Sequence, residues 1–280
     1  MITVELMGGL GNQLFQIFAV LGHALRYNIQ FVFLDKTLEH GWRKTTYWNS
    51  FLDRLQPYLR SPHTVQIFDI MRETQFHYAE IPSHIGIGNT SLFGYFQSWK
   101  YFDHCKPQIF ELLSLEKKRQ SVCGKLVSQW ENLDHCISMH FRMGDYKNLQ
   151  NHHPIMSVAY YRKALTELLL HTGKDDWTVM VVCEDGDAVS VHEKTNALRE
   201  EFPNMRFRRL QGNLEDWEQM LAMSLCAHHI IANSSFSWFG AYFNTNPNKF
   251  VYYPSVWFGP AQGNKDLRDL CPPDWMKISV

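Results

Sequence analysis

No stretch of about 18 uninterrupted apolar residues occurs in the 280-residue sequence, so a membrane-spanning helix of ordinary length is excluded. The start, MITVELMGG, lacks the basic residues and apolar stretch of a secretory leader, and a soluble, unanchored, cytoplasmic protein is expected. Net charge is nearly absent. The 27 basic residues almost cancel the 28 acidic ones, leaving a formal charge of -1, so no global field favours nucleic acid or an anionic membrane. Any anionic ligand must therefore be held by a local site. The six cysteines include no CxxC pair and no zinc-like spacing, and Cys136, Cys183 and Cys226 lie in apolar runs, where a thiol reads as a small core residue in a reducing compartment. Repeats and low-complexity segments are missing from the second half too. What is present is a hydrophobic share of 45% and an aromatic share of 14%, enough for substantial cores, and a length that fits two domains.

Residues Ile2 to Leu6 read as a short strand entering Gly8-Gly9-Leu10-Gly11-Asn12-Gln13, after which Leu14, Ile17, Phe18, Leu21 and Leu25 recur at helical spacing. Asn28 can end that helix, and Phe31 to Leu34 supply a second strand, giving a βαβ unit and hence a parallel sheet. Residues 36 to 110 are irregular, with four prolines and many aromatics. A polar helix over Leu115 to Trp130 precedes the expected domain boundary near residue 133. Beyond it strands and helices alternate: strand Cys136 to Phe141, helix Ala159 to Leu170 stopped near Gly173, and strand Thr178 to Cys183. Helix Glu215 to Cys226, strand His229 to Ala232, a helix from about Trp238 and strand Phe250 to Tyr253 complete the pattern. Two α/β halves of this kind place a ligand at the carboxyl ends of their strands.

Three strand ends carry unusual polar sequence. The glycine turn Gly8 to Gln13 brings backbone N–H groups close to a ligand at a helix N-terminus, where a phosphate or carboxylate is favoured; it also reads as a tight βα turn. It is not G-x-G-x-x-G, which gives little support to a dinucleotide site. At the second end, His140-Phe141-Arg142-Met143-Gly144-Asp145-Tyr146, alternation puts His140 and Arg142 on one face and Phe141 on the other. A guanidinium so placed needs an anion, either phosphate oxygens or a carboxylate such as Asp145. The third end, Asn233-Ser234-Ser235-Phe236-Ser237-Trp238, offers hydroxyls and N–H groups for an anion or for capping. Glu184-Asp185-Gly186-Asp187 could hydrogen-bond a base or ribose.

Together these motifs resemble the α-1,2-fucosyltransferase-like enzymes of glycosyltransferase family 11. The family opens with G-G-L-G-N-Q, here Gly8 to Gln13, and carries H-x-R-R-G-D-Y, here His140 to Tyr146. It continues with a Tyr-Tyr helix, here Tyr160-Tyr161, and an acidic strand end, here Glu184-Asp185, and closes with N-S-S-F-S-W-W, here Asn233 to Phe239. Residues 36 to 110 match least. The resemblance implies a GT-B-like fold of two Rossmann-type α/β domains facing a central cleft, residues 1–133 on the acceptor side and residues 134–280 binding GDP-β-L-fucose. It implies inverting transfer of L-fucose, α-1,2 onto a galactose-like hydroxyl, with an oligosaccharide or glycoconjugate as acceptor and no metal. Arg142 and the Ser234, Ser235, Phe236 and Ser237 turn would hold the diphosphate. Gly9, Asn12 and Gln13 would contribute from the N-terminal domain, and His140 and Asp185 would lie near the guanosine. The family offers no single agreed base; Asp145 is the candidate because a carboxylate at the cleft could accept a hydroxyl proton, the alternative being that it only orients Arg142. Placement at a membrane where glycans are assembled is the alternative to a free cytoplasmic enzyme.

Two positions depart from the family pattern: Met143 stands where it has a second arginine, and Phe239 where it has a second tryptophan. Acceptor geometry or rate is put in question by the first. Trp42, Trp48, Tyr95 and Trp99 are candidates for stacking on sugar rings, with core packing the favoured reading for most. Two other functions fit parts of the chain. One is a non-catalytic glycan- or nucleotide-binding protein, and the other is a metal-dependent transferase using Asp185-Gly-Asp187 as a D-x-D site.

Overall fold

The computed structural model describes residues 1–35 and 47–280, which leaves Trp42 outside the description. The chain divides into two compact units, residues 1–118 with 265–272, and residues 119–264 with 273–280. The division falls between Lys118 and Arg119 rather than near 133, within a helix, and a short later segment returns to the first unit.

In the first unit β1 (Ile2–Val4) leads into α1 (Leu10–Tyr27), followed by β2 (Phe33–Leu34), β3 (Leu59–Arg60), β4 (Asp69–Arg72), β5 (Thr90–Phe93) and α2 (Lys106–Leu112). Helix α1 starts four residues before Leu14, the first of the apolar repeat, because Gly9 serves as its N-cap. It stops at Asn28, whose left-handed backbone (φ 52°) lets its N–H reach the carbonyl of Ala24. Its residues are buried almost all round from Leu10 to Ala24, so it is a central helix rather than a surface one. Strands β1, β5 and β4 pair in parallel in that order, and β2 pairs in parallel with β3. A parallel bridge from Phe31 to Ile2 brings the two sets side by side. Trp48 is buried with its ring 5.5 Å from Phe33, and so is core, whereas Tyr95 is 40% exposed.

Helix α3 (Leu115–Leu126) carries the chain across the division, and the second unit follows with β6 (Cys136–His140), α4 (Val158–Thr172), β7 (Thr178–Val182), α5 (Ala188–Glu201) and β8 (Arg206–Arg209). It ends with α6 (Asp216–Ser224), β9 (His228–Ile230), α7 (Ser235–Tyr242), β10 (Val251–Pro254) and β11 (Met276–Ile278). Six parallel strands lie in the order β11-β10-β9-β6-β7-β8. Counted within the unit, that is the doubly wound Rossmann order, and both units are parallel α/β as the resemblance implies. Every residue of β6 is buried, the mark of a strand covered on both faces. Register pairs Met139 with Ile230, so the carboxyl ends of β6 and β9 are neighbours. Between them the strand order reverses, and open α/β sheets bind ligands at that point.

Helix α7 begins at Ser235, three residues before the expected start, because Ser234 is extended (φ -143°) and acts as N-cap while Ser235, Phe236 and Ser237 form the first turn. Phe239 is fully buried and packs on Trp238 and Tyr242, so its departure from the family tryptophan is a matter of core packing.

Candidate functional site

The switch point of the second unit gathers His140, Arg142, Asp145 and the start of α7. Beyond β6, Phe141 and Met143 turn into the apolar core, 2% and 7% exposed, while His140 and Arg142 take the other side, as alternation requires. The family's second arginine position therefore points into packed side chains here. The Arg142 guanidinium bonds the carboxylates of Asp145 and Glu184 and lies 5.1 Å from the Tyr146 ring centroid. The carboxylate partner foreseen as an alternative is thus present twice over. Both carboxylates are about half exposed, so returning them to water costs little.

His140 is 5% exposed, its Nδ1 has no hydrogen-bond partner, and its ring lies 5.4 Å from that of Phe236 in the first turn of α7. Burial, reinforced by the Arg142 charge, pushes its pKa down to about 3, so the imidazole is neutral at physiological pH. It can hydrogen-bond a ligand and cannot neutralise one. Charge complementarity to an anion must come from Arg142.

The Tyr146 hydroxyl donates to the carbonyl of Asn233 (3.2 Å), tying the loop after β6 to the end of β9. The Asn233 amide donates to the carbonyls of Pro154 (3.0 Å) and Trp257 (3.1 Å), and so ties the segment before α4 and the segment after β10 to the end of β9. Ser234 makes no side-chain capping bond; the first-turn N–H groups have no intrahelical acceptors and carry the positive end of the helix dipole. Ser237 is different from its neighbours. It is fully buried with its hydroxyl donating to the carbonyl of Ser234 (3.2 Å), which makes it an internal brace of the turn.

Asp185 and Asp187 diverge. Asp185 is 95% exposed and bonds Arg209 (2.8 Å), whereas Asp187 is buried, accepts from the N–H of Gly144 (2.6 Å) and pairs with Lys147 (2.6 Å). Their carboxylates are spent on separate partners, contrary to the convergence a D-x-D metal site needs. Asp187 fixes the loop that carries Arg142. Among the described residues no group of three His, Cys, Asp or Glu side chains is arranged to hold a metal, and no helix is long and apolar enough to cross a membrane.

In the first unit, Gly8 adopts φ +74°, and a Cβ there would come within 2.5 Å of the Asn12 amide nitrogen. Gly9 caps α1 with no side-chain bond. Gln13 is 1% exposed and its amide donates to the carbonyl of Gly8 (3.0 Å), so it braces the turn from inside. Asn12 is half-buried and accepts from the Gln97 amide (2.8 Å). Sequence reasoning passed over Gln97, as it did Glu184 as an Arg142 partner. The available signal was the position of Gln97 just past a strand end, in a stretch whose strands are too short to show a period.

A family model described as Glycosyl transferase family 11 matches residues 1–278. An O-antigen biosynthesis glycosyltransferase of Escherichia coli is 28% identical over 64% of this chain and 58% of its own length, a match spanning little more than half of that protein. An alpha-1,2-colitosyltransferase of E. coli is 25% identical over 99% of this chain and 98% of its own. A galactoside 2-alpha-L-fucosyltransferase of Caenorhabditis elegans is 25% identical over 100% of this chain and 79% of its own. Among solved structures, a family 9 glycosyl transferase from Veillonella parvula is 13% identical, covers 100% of this chain and 86% of its own, and has a TM-score of 0.45. With strand-end motifs seated at the carboxyl ends of parallel sheets and a family match across nearly its whole length, the chain belongs to glycosyl transferase family 11.

Proposed function

We propose that the protein is an inverting, metal-independent fucosyltransferase that uses GDP-β-L-fucose and forms an α-1,2 linkage to a galactose-like hydroxyl. The observation that carries this reading is the convergence, at the β6/β9 switch point, of one guanidinium with a helix N-terminus that has no side-chain cap. An entering diphosphate exchanges its oxygens for those of Glu184 and Asp145 on the Arg142 fork. As the bond from the anomeric carbon to the β-phosphate oxygen breaks, the leaving oxygen takes the electron pair, and Arg142 and the α7 amides stabilise the charge growing there. The acceptor hydroxyl attacks from the opposite face. Asp145, released from Arg142, receives its proton. GDP and an α-L-fucoside are the products. The 2-alpha-L-fucosyl and alpha-1,2-colitosyl activities in the relatives' names support the donor class and the linkage.

The test incubates the protein with a panel of GDP-sugars and simple β-galactosides, with and without excess EDTA, and determines product mass and linkage. Fucose transfer that persists under chelation is expected, together with a GDP-induced rise in melting temperature larger than that from UDP. Equal stabilisation by UDP or NAD, or activity that is lost on chelation and restored by manganese, overturns the reading.

A further inference from the structure

We infer that the β1–α1 turn and the turn after β5 together form an uncharged site for a sugar hydroxyl, read by the Asn12–Gln97 carboxamide pair. It deepens the transfer reading, on which it rests for its expectation of a saccharide. Gln97 is 7% exposed; its amide nitrogen donates to Asn12 Oδ1 at 2.8 Å, and its Oε1 has no partner. A buried carbonyl oxygen left without a donor is unfavourable and calls for one. That oxygen shares a carboxamide with the nitrogen held by Asn12, and Asn12 itself stands in the first turn of α1, a helix start capped by glycine. One face of the site thus lacks a donor and the other supplies donors. A hydroxyl, which donates and accepts, satisfies both at once; a phosphate oxygen, which only accepts, is repelled by Gln97 Oε1.

The backbone around Gln97 is built for this placement. Gly94 has φ +157° and Phe96 has φ +52°, a left-handed conformation that a bulky residue rarely adopts. The Glu73 carboxylate holds the turn by accepting from the N–H groups of Tyr95 (2.8 Å) and Phe96 (3.0 Å). Strain of this kind is maintained where a side chain must be aimed. Tyr95, 40% exposed in the same turn, offers an aromatic face of the sort on which sugar rings stack. Charge points the same way. No Lys or Arg occurs from Gly8 to Gln16 or from Gly94 to Trp99, and Lys100 is paired with Asp269 at 2.5 Å. Lys265 faces the Glu73 carboxylate, so the cations near this turn are already set against carboxylates, whereas a neutral polyol needs none.

The test follows the backbone amide signals of Gly8, Gly9 and Gly11 and the side-chain amide signals of Asn12 and Gln97 by NMR in the full chain. Titrants are L-fucose, methyl β-D-galactoside and inorganic phosphate. One of the two saccharides should shift these signals saturably, its identity assigning the hydroxyl to donor or acceptor sugar, and phosphate should leave them unmoved. Gln97→Met should weaken that saccharide by about tenfold while the GDP-induced rise in melting temperature persists. Should Gln97→Met not fold, Tyr95→Ala, at an exposed position, should weaken the saccharide instead. A phosphate response without a saccharide response, no response to either saccharide, or unchanged saccharide affinity in a folded Gln97→Met or, failing that, Tyr95→Ala protein overturns the assignment. Loss of GDP stabilisation alone would count against the donor reading and leave this one standing.

Discussion

The turn from β1 into α1 and the turn from β9 into α7 have the same construction: a parallel strand, a short bend, and a helix whose N-cap makes no side-chain bond. They differ in what surrounds the helix start. At α7 the neighbouring strand end brings Arg142, two carboxylates and a buried neutral histidine. Around α1 the polar neighbours include the carboxamides of Asn12, Gln13 and Gln97, with no arginine or lysine from Gly8 to Gln16 or from Gly94 to Trp99. A helix dipole supplies the same modest attraction in both places, so it cannot decide what binds. In the proposed reading the side chains decide it: a guanidinium fork would select a diphosphate, and a carboxamide pair a hydroxyl.

The largest effect expected is from removing the charge at the second turn. Arg142→Ala should lower kcat by about 10²–10³, equivalent to about 3–4 kcal/mol of transition-state stabilisation. Arg142→Lys should fail nearly as badly, since an ammonium keeps the charge and loses the planar fork. Stability should fall by only about 1 kcal/mol, because the carboxylates it pairs with are half exposed and return to water. Steady-state kinetics and thermal unfolding on both variants separate the two quantities. Near-normal kcat in a folded Arg142→Ala protein would erase the contrast between the turns.

A second charge at the same strand end sharpens the comparison. Met143→Arg restores the family's sequence, yet residue 143 packs in the core with Phe141 and is 7% exposed. The guanidinium must be buried without a partner or force the loop after β6 to open, so a loss of about 3 kcal/mol or more in unfolding free energy is expected, with no gain in kcat. Denaturant titration checks the first and initial rates the second. A stable, faster Met143→Arg enzyme would show that position 143 faces ligand rather than core.

Much of the second unit was legible in its sequence for a physical reason: strands buried on both faces, such as Thr178–Val182, are continuous apolar runs. The edge strand Arg206–Arg209 was not, because only Phe207 is buried among three arginines. In the first unit β3 to β5 span two to four residues each, too few to show a period. The same limit governs the sites. Motif positions place His140 and Arg142 at a strand end and Asn12 at the turn into the first helix, and the structure has His140 ending β6, Arg142 just beyond it and Asn12 in the first turn of α1. Which way Gln13 and Ser237 point depends on carbonyls that the folded turn supplies. The aim of Gln97 depends on a left-handed Phe96 held by a carboxylate more than twenty residues earlier, which no local pattern announces.

The smallest effect expected comes from one methyl group at the first turn. Gly8→Ala places a Cβ 2.5 Å from Asn12 Nδ2, where some atom must shift, on a residue whose φ of +74° disfavours any side chain. The backbone cost is about 1–2 kcal/mol. Asn12 can relieve the contact only by rotating its carboxamide, and that rotation disturbs the 2.8 Å bond from Gln97 that orients it. Saccharide binding at this turn should therefore weaken several-fold, while the GDP-induced rise in melting temperature, set at the other turn, stays as in the parent. Thermal unfolding with and without GDP, followed by saccharide titration on the same sample, measures all three. An alanine that instead weakens GDP and spares the saccharide would mean that the glycine turn serves the phosphates, as its glycines alone first indicated, and that the two turns share one ligand chemistry.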